Sequence, residues 1–186
     1  MFVEGRQILD AALIADEAID SMLKRNESGV LCKLDIEKAY DHLNWNFLLI
    51  VMQKMGFREK WVGWVRWCIS FASFLVLVNG IPSGFFQNTR GLRQGDPLSP
   101  YLFVIRMEAL SYLINRVVSE GFLIGCRVWG RGGEGVQVTH LLFADDTMVF
   151  SEASTEKMVF LSWILIWFEA ILGLKINLDK SEILLV

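Results

Sequence analysis

Two adjacent aspartates, Asp145 and Asp146, stand between apolar arms, Val138–Phe143 before them and Thr147–Phe150 after. Apolar arms around a short polar tip predict a hairpin. Ordinary two-residue hairpin turns favour Asn-Gly or Asp-Gly, because both central residues need positive φ. This tip has no glycine, so turn geometry alone does not account for the pair. Neighbouring carboxylates also repel each other, and apolar arms have displaced much of the water that would screen them. A divalent cation relieves that repulsion: hard Mg²⁺ prefers carboxylate oxygens and keeps positions open for phosphates. Taken alone, a solvated acidic turn is the plain alternative.

A second acid sharpens the pattern. Val30 to Ile36 reads VLCKLDI, short and apolar, and predicts a buried strand. Asp35 lies near its C-terminal end, where sheets often place ligand sites. The alternative role is an N-cap for the helix predicted over Glu37–Met55 and stopped by Gly56. Three carboxylates from two strand ends are what two-metal phosphoryl transfer needs, with the ions about 3.5–4 Å apart. Between these acids lies Arg90-Gly-Leu-Arg-Gln-Gly-Asp-Pro, a loop whose glycines let backbone approach a ligand and whose Arg90 and Arg93 suit phosphate.

The remaining pattern alternates helices with a few strands. Apolar spacing predicts helices over 8–25, 60–70, from Pro97 to about Ser119, and over 156–172. Phe74–Val78 and Gly84–Gln87 read as strands around an Asn79–Ser83 turn, and Ile183–Val186 as a final strand. Gly121–Val138 holds six of the 15 glycines and predicts a loop with weak strands. This order predicts an α+β domain, a sheet with helices on one face. Arg106 falls inside an apolar helical stretch, where a buried guanidinium is costly unless it is paired. Met158–Phe168 is apolar all round and predicts an exposed apolar patch.

Composition narrows the class. Of 186 residues, 53% are hydrophobic and 21% charged, which is globular rather than disordered. A net charge of −3 carries no global basic signal for nucleic acid, so any such contacts are local or lie in other parts of a parent protein. Cys32, Cys68 and Cys126 are widely spaced and odd in number, which predicts no disulfide framework and no zinc site. Charges in MFVEGRQILD argue against a secretory signal, and Asn79-Gly80 and Pro82 interrupt the longest charge-free stretch, Trp67–Thr89. No compartment is specified by this; if expressed, the chain is expected in nucleus or cytoplasm, neither secreted nor in a membrane.

KLDIEKAYDHLNW, RGLRQGDPLSPYLF, HLLFADDTMVF and GLKINLDKSEILL, in this order, resemble the successive palm motifs of LINE-type (non-LTR) retroelement reverse transcriptases, and the combination is closest to plant sequences. FVEGRQILDAALIADE is similar to the segment before the first of them. The resemblance covers nearly the whole chain. It implies a polymerase palm, a small, mostly antiparallel sheet with helices on one face plus part of the fingers, over residues 1–186, with the start of the fingers and the thumb missing. It implies RNA-directed DNA polymerase activity: two-metal nucleotidyl transfer from a dNTP to a primer 3′-hydroxyl on an RNA template. Asp35, Asp145 and Asp146 would hold Mg²⁺, or Mn²⁺ in its place. Tyr40 would screen the sugar 2′ carbon against ribonucleotides, or simply pack on the sheet. Arg93, Gln94 and Gly95 would border the nucleotide, and Lys180 would give a proton to the leaving pyrophosphate. An intact triad does not separate an active core from a retroelement relic that keeps the fold without catalysis. A different palm enzyme, or a non-enzymatic interaction module, are the remaining alternatives.

Overall fold

The computed structural model describes residues 8–71, 73–129, 135–143 and 146–186. Asp145 and Ala144, at the expected hairpin tip, lie outside the described residues, as do 1–7 and 130–134 of the stretches discussed above.

Strand β1 (Gly29–Glu37) is the axis of the molecule. On one side it pairs with β7 (Asp146–Glu152), which pairs in turn with β6 (His140–Phe143). On its other side it meets β8 (Lys175–Ile176) and β9 (Glu182–Leu185) in succession. Every one of these ladders is antiparallel. Alternation along β1 separates two faces. Val30, Cys32, Leu34 and Ile36 enter the main core, with Val149 of β7 behind them. Leu31 and Phe150 enter a smaller cluster on the opposite face.

The main core is closed by α2 (Trp45–Lys54), α3 (Glu59–Ser70), α4 (Ser99–Ser119) and α5 (Thr155–Leu172). Helix α1 (Ile8–Arg25) covers the other face at the Leu31 end, through Ala15, Ala18 and Met22. The chain is thus α+β, with the sheet antiparallel and most helices on one side. Two hairpins stand apart from it: β2 (Ser73–Val78) with β3 (Ile81–Gln87), and β4 (Cys126–Trp129) with β5 (Gly135–Val138).

Three local expectations need correction. Helix α2 begins at Trp45, not Glu37, because β1 runs through Glu37 and residues 38–42 form a turn with Lys38 at φ 45°. Asn44 caps the helix instead, its Oδ1 accepting from Phe47 N–H at 3.2 Å. The β2–β3 turn has only two residues, Asn79 (φ 52°) and Gly80 (φ 81°), so β3 starts at Ile81. Pro82 is tolerated because the hairpin has free edges. Helix α4 starts at Ser99 rather than Pro97, because Asp96 folds a turn first: its Oδ1 accepts from Leu98 N–H at 2.8 Å.

Arg106 of α4 has no exposed surface, and its Nη1 donates to Ala39 O at 3.1 Å. Burial pulls its pKa down to about 9, so it still carries charge at neutral pH and ties α4 to the 38–42 turn. The same turn receives the glycine-rich loop: Leu92 N–H donates to Tyr40 O and Gly91 N–H to Leu43 O, both at 2.7 Å. Trp45 Nε1 donates to Gly91 O at 2.7 Å. Gly91 sits at φ 85°, and a Cβ there would lie 2.6 Å from Asp41 O.

Helix α5 buries Leu161, Ile164 and Phe168 and leaves Val159, Trp163, Ile166 and Trp167 exposed, the apolar patch expected from its composition. No described helix is long and apolar enough to cross a membrane.

Two predictions follow from this packing. Gly91→Ala should destabilise the fold by at least about 1 kcal/mol, since both its backbone angle and its contact with Asp41 are incompatible with a side chain; urea titration measures this. His140 bonds Ser111 Oγ through Nε2 at 2.7 Å, and burial holds its pKa below the ordinary 6.5. The unfolded chain then binds the proton more readily, so this contribution is whole above pH 6.5 and lost as pH falls below it. Stability of His140→Gln should change less between pH 7 and 5.5 than that of the parent, as thermal unfolding across that window would reveal.

Candidate active site

Asp35 and Asp146 are register partners across the β1–β7 ladder. Which kind of pair they form follows from where the peptide groups of Asp35 point. Its N–H donates to Ser181 Oγ at 3.1 Å and its carbonyl accepts from Asn177 N–H at 2.9 Å. Both partners lie on the β8–β9 side. Gly29, of the same parity, exchanges both its bonds with Val186 on that side too. Asp35 therefore makes no ladder bond to Asp146, and the two form a non-hydrogen-bonded pair. Such pairs bring the Cα atoms to about 4.5 Å, nearer than hydrogen-bonded pairs, with side chains on one face.

That face is the one α1 packs against, closely at the Leu31 end and across a cleft toward Asp146. Going along β1, Leu31 is buried under α1, and Lys33, Asp35 and Glu37 are partly exposed. Lys33 is a neighbour that the sequence reading passed over. Its Nζ lies 3.9 Å from Asp146 Oδ1, with both side chains about half exposed (42% and 43%). Such a pair is worth at most about 1 kcal/mol. It does place one cation beside two acids. The signal was available, because period-two alternation in VLCKLDI puts Lys33 and Asp35 on one face.

Two like-charged side chains on one face of paired strands suit a hard divalent cation, which takes carboxylate oxygens and completes its shell with water or substrate oxygens. Half-exposure leaves room for those further oxygens. Among the described residues no group of three acidic, histidine or cysteine side chains converges. Asp145, the third predicted ligand, lies outside the described residues.

The other predicted residues are reached through short connections. Lys180 is exposed in the 177–181 turn that links β8 to β9, the same turn that holds the Asp35 backbone. Ser181, which the sequence reading missed, also donates from Oγ to Asn177 O at 2.7 Å and so closes the turn on itself. Its hint in the sequence is the favoured use of Ser and Asn side chains in turns. Tyr40 is half-buried, its ring stacked on Phe103 with centroids 5.0 Å apart and 20° between planes. The ring packs on α4 through Phe103, with part of it left exposed. Arg93, Gln94 and Gly95 are exposed just beyond the Leu92–Tyr40 bond, and Gly95 holds φ 84°. No hydrogen bond is found between this loop and the aspartate pair among the described residues.

Two clefts adjoin these elements. One, lined by Trp45, Phe74, Arg93 and Asp96 among others, holds about 70 Å³. The second holds about 170 Å³ between Ala11 and Ala12 of α1 and Leu141, Phe143, Asp146 and Met148 of the sheet. Both fall short of the roughly 300–1,000 Å³ of ordinary small-molecule pockets.

Residues 1–185 match the family described as Reverse transcriptase (RNA-dependent DNA polymerase). The chain is 32% identical over 172 residues to a retrovirus-related Pol polyprotein from a type-2 retrotransposable element of Drosophila melanogaster, covering 92% of this chain and 15% of that protein. Over 73 residues it is 51% identical to an uncharacterized mitochondrial protein of Arabidopsis thaliana, covering 39% of this chain and 57% of that one. In fold it is similar to apo telomerase from Candida tropicalis truncated from its C-terminal domain, with a TM-score of 0.71 at 16% identity, covering 97% of this chain and 36% of that one. The matched region is thus a minor part of the polyprotein and just over half of the plant protein. The chain belongs to the reverse transcriptase (RNA-dependent DNA polymerase) family.

Proposed function

We propose that this chain is the palm core, with part of the fingers, of an RNA-directed DNA polymerase, extending a primer on an RNA template. The observation that carries the proposal is the narrow, same-face pairing of Asp35 with Asp146 at the open end of the sheet. Solved relatives of this fold include a Candida albicans telomerase in complex with a fragment of telomeric RNA, which supports a nucleic-acid partner.

Asp35 and Asp146, with Asp145 of the adjoining tip, would hold divalent cations, Mg²⁺ or Mn²⁺. Those ions, when bound, stabilise negative charge on the attacking primer hydroxyl and on the departing pyrophosphate. The protein's own work is positional. The ladder sets Asp35 and Asp146 opposite each other on one face before any ligand arrives. Tyr40, anchored on Phe103, would offer the edge of its ring to the sugar and exclude a 2′-hydroxyl. Arg93, Gln94 and Gly95 would border the nucleotide and its template base, on a loop tied to Tyr40 by the Leu92 bond. Lys180, on its exposed turn, would supply a proton to the pyrophosphate.

A half-exposed acid pair suits a reactant that arrives already held, such as a nucleotide paired to a template strand. Further fingers and a thumb, from a larger parent polyprotein, would complete the grip on that duplex.

Primer extension on an RNA template with Mg²⁺ or Mn²⁺ tests the proposal. Asp35→Asn or Asp146→Asn should each lower the rate by roughly 100-fold or more, as expected when several kcal/mol of charge stabilisation is removed. Equal rates in the folded variants would refute it. Tyr40→Ala should raise ribonucleotide use relative to deoxynucleotide by at least about tenfold, given the discrimination one steric contact supplies. An unchanged ratio would assign Tyr40 to packing alone. A folded parent chain that gives no product would favour the catalytically silent relic.

A further inference from the structure

The edge of β1 opposite β7 is covered by two strands with a gap between them. β8 pairs with Ile36 and Glu37, and β9 pairs with residues Val30 to Lys33. Asp35 falls in the gap, so neither strand can complete its hydrogen bonds. An unmet peptide N–H and carbonyl there would leave the chain free to twist about the residue that must aim its carboxylate.

The 177–181 turn fills this gap. Asn177 N–H donates to Asp35 O at 2.9 Å, as a strand would. The Asp35 N–H goes to a side chain instead: among the described residues, Ser181 Oγ accepts it at 3.1 Å. The same hydroxyl donates to Asn177 O at 2.7 Å, which orients its lone pairs toward Asp35. Ser181 N–H also bonds Asn177 O at 2.9 Å, so the turn is doubly braced. A side chain thus replaces one rung of the ladder, at the residue proposed to ligate the metal.

We propose that Ser181 is a positioning residue for Asp35, fixing the backbone from which the carboxylate reaches a divalent cation. This rests on the reading of Asp35 and Asp146 as metal ligands. Partners one step removed from a metal commonly change its affinity when lost, by about 10- to 100-fold. The effect here lies at the lower end, since the bond is to the backbone rather than to the carboxylate.

The test is Mn²⁺ binding by the chain itself, followed by water-proton relaxation, with circular dichroism confirming fold. Ser181→Ala should bind Mn²⁺ about tenfold more weakly, while Ser181→Thr, which retains the hydroxyl, should restore affinity. Amide exchange at Asp35 should quicken in Ser181→Ala, with Cys32 unaffected. If the alanine variant does not fold, Ser181→Cys keeps the size with only a weak acceptor and should shift affinity the same way. A lowered melting temperature with unchanged Mn²⁺ affinity would overturn the proposal and leave Ser181 a purely structural brace. Asp35→Asn is the control: loss of binding there with full binding in Ser181→Ala sinks the inference about Ser181 alone. Full binding in Asp35→Asn sinks the metal site on which it depends.

Discussion

The direction in which each peptide group of β1 faces decides what this protein can do. Odd-numbered residues from Gly29 to Asp35 turn their N–H and C=O toward β8, β9 and the turn between them. This phase puts Asp35 opposite Asp146 in the close type of pair and sends both carboxylates to the open face. A slip of one residue would reverse every side chain. Val30, Cys32, Leu34 and Ile36 would then leave the core and Asp35 would enter it. The cost of exposing four apolar side chains, about 1.5–3 kcal/mol for each large one, locks the register. The acids are therefore placed by the burial of their neighbours rather than by any attraction of their own. Hydrophobic packing supplies the energy that holds two like charges side by side.

Much of this could be read from the residues. The run VLCKLDI announces a buried strand, and the arms around Asp145-Asp146 announce a hairpin, so the meeting of Asp35 with Asp146 needed only that the two strands be neighbours. Lys33 was legible by the same alternation. What could not be read depends on distant partners. Residues 38–42 fit a helical pattern locally, yet they turn, because Arg106 and Leu92, more than fifty residues on, take the carbonyls of Ala39 and Tyr40. β8 has only two residues, too short for any periodicity to reveal. Ser181 looks like an ordinary turn serine until the gap between β8 and β9 is seen. The pattern of apolar residues reports burial well; it does not report which backbone group a loop will complete.

Buried charge follows the same division of labour. Arg106 is enclosed in α4 among apolar neighbours, where a guanidinium is expensive to desolvate, and its pKa falls accordingly to about 9. It is nonetheless in contact with the 38–42 turn, which leads from the Asp35 strand to the glycine-rich loop. A cation held there joins helix and turn more firmly than an apolar side chain, which has no donor for the Ala39 carbonyl. Its cost is an argument for a role in placing that turn, in the same way that exposed Lys180 and Arg93 are cheap and carry no comparable structural duty.

Three attachments converge on a few residues at one strand end: β7 beside Asp35, the 177–181 turn behind it, and the glycine-rich loop pinned to the turn that follows it. The two clefts beside them hold about 70 and 170 Å³. The proposed site is held through its backbone hydrogen bonds, and the described side chains of Asp35 and Asp146 are partly open to solvent. In the proposed reading, binding energy comes from a large partner that brings the reacting groups with it, as a template–primer duplex does by base pairing. The open face and the apolar surfaces left on α5 and on the β2–β3 hairpin are physically compatible with such a division, in which this chain supplies the acids and the surroundings supply the grip.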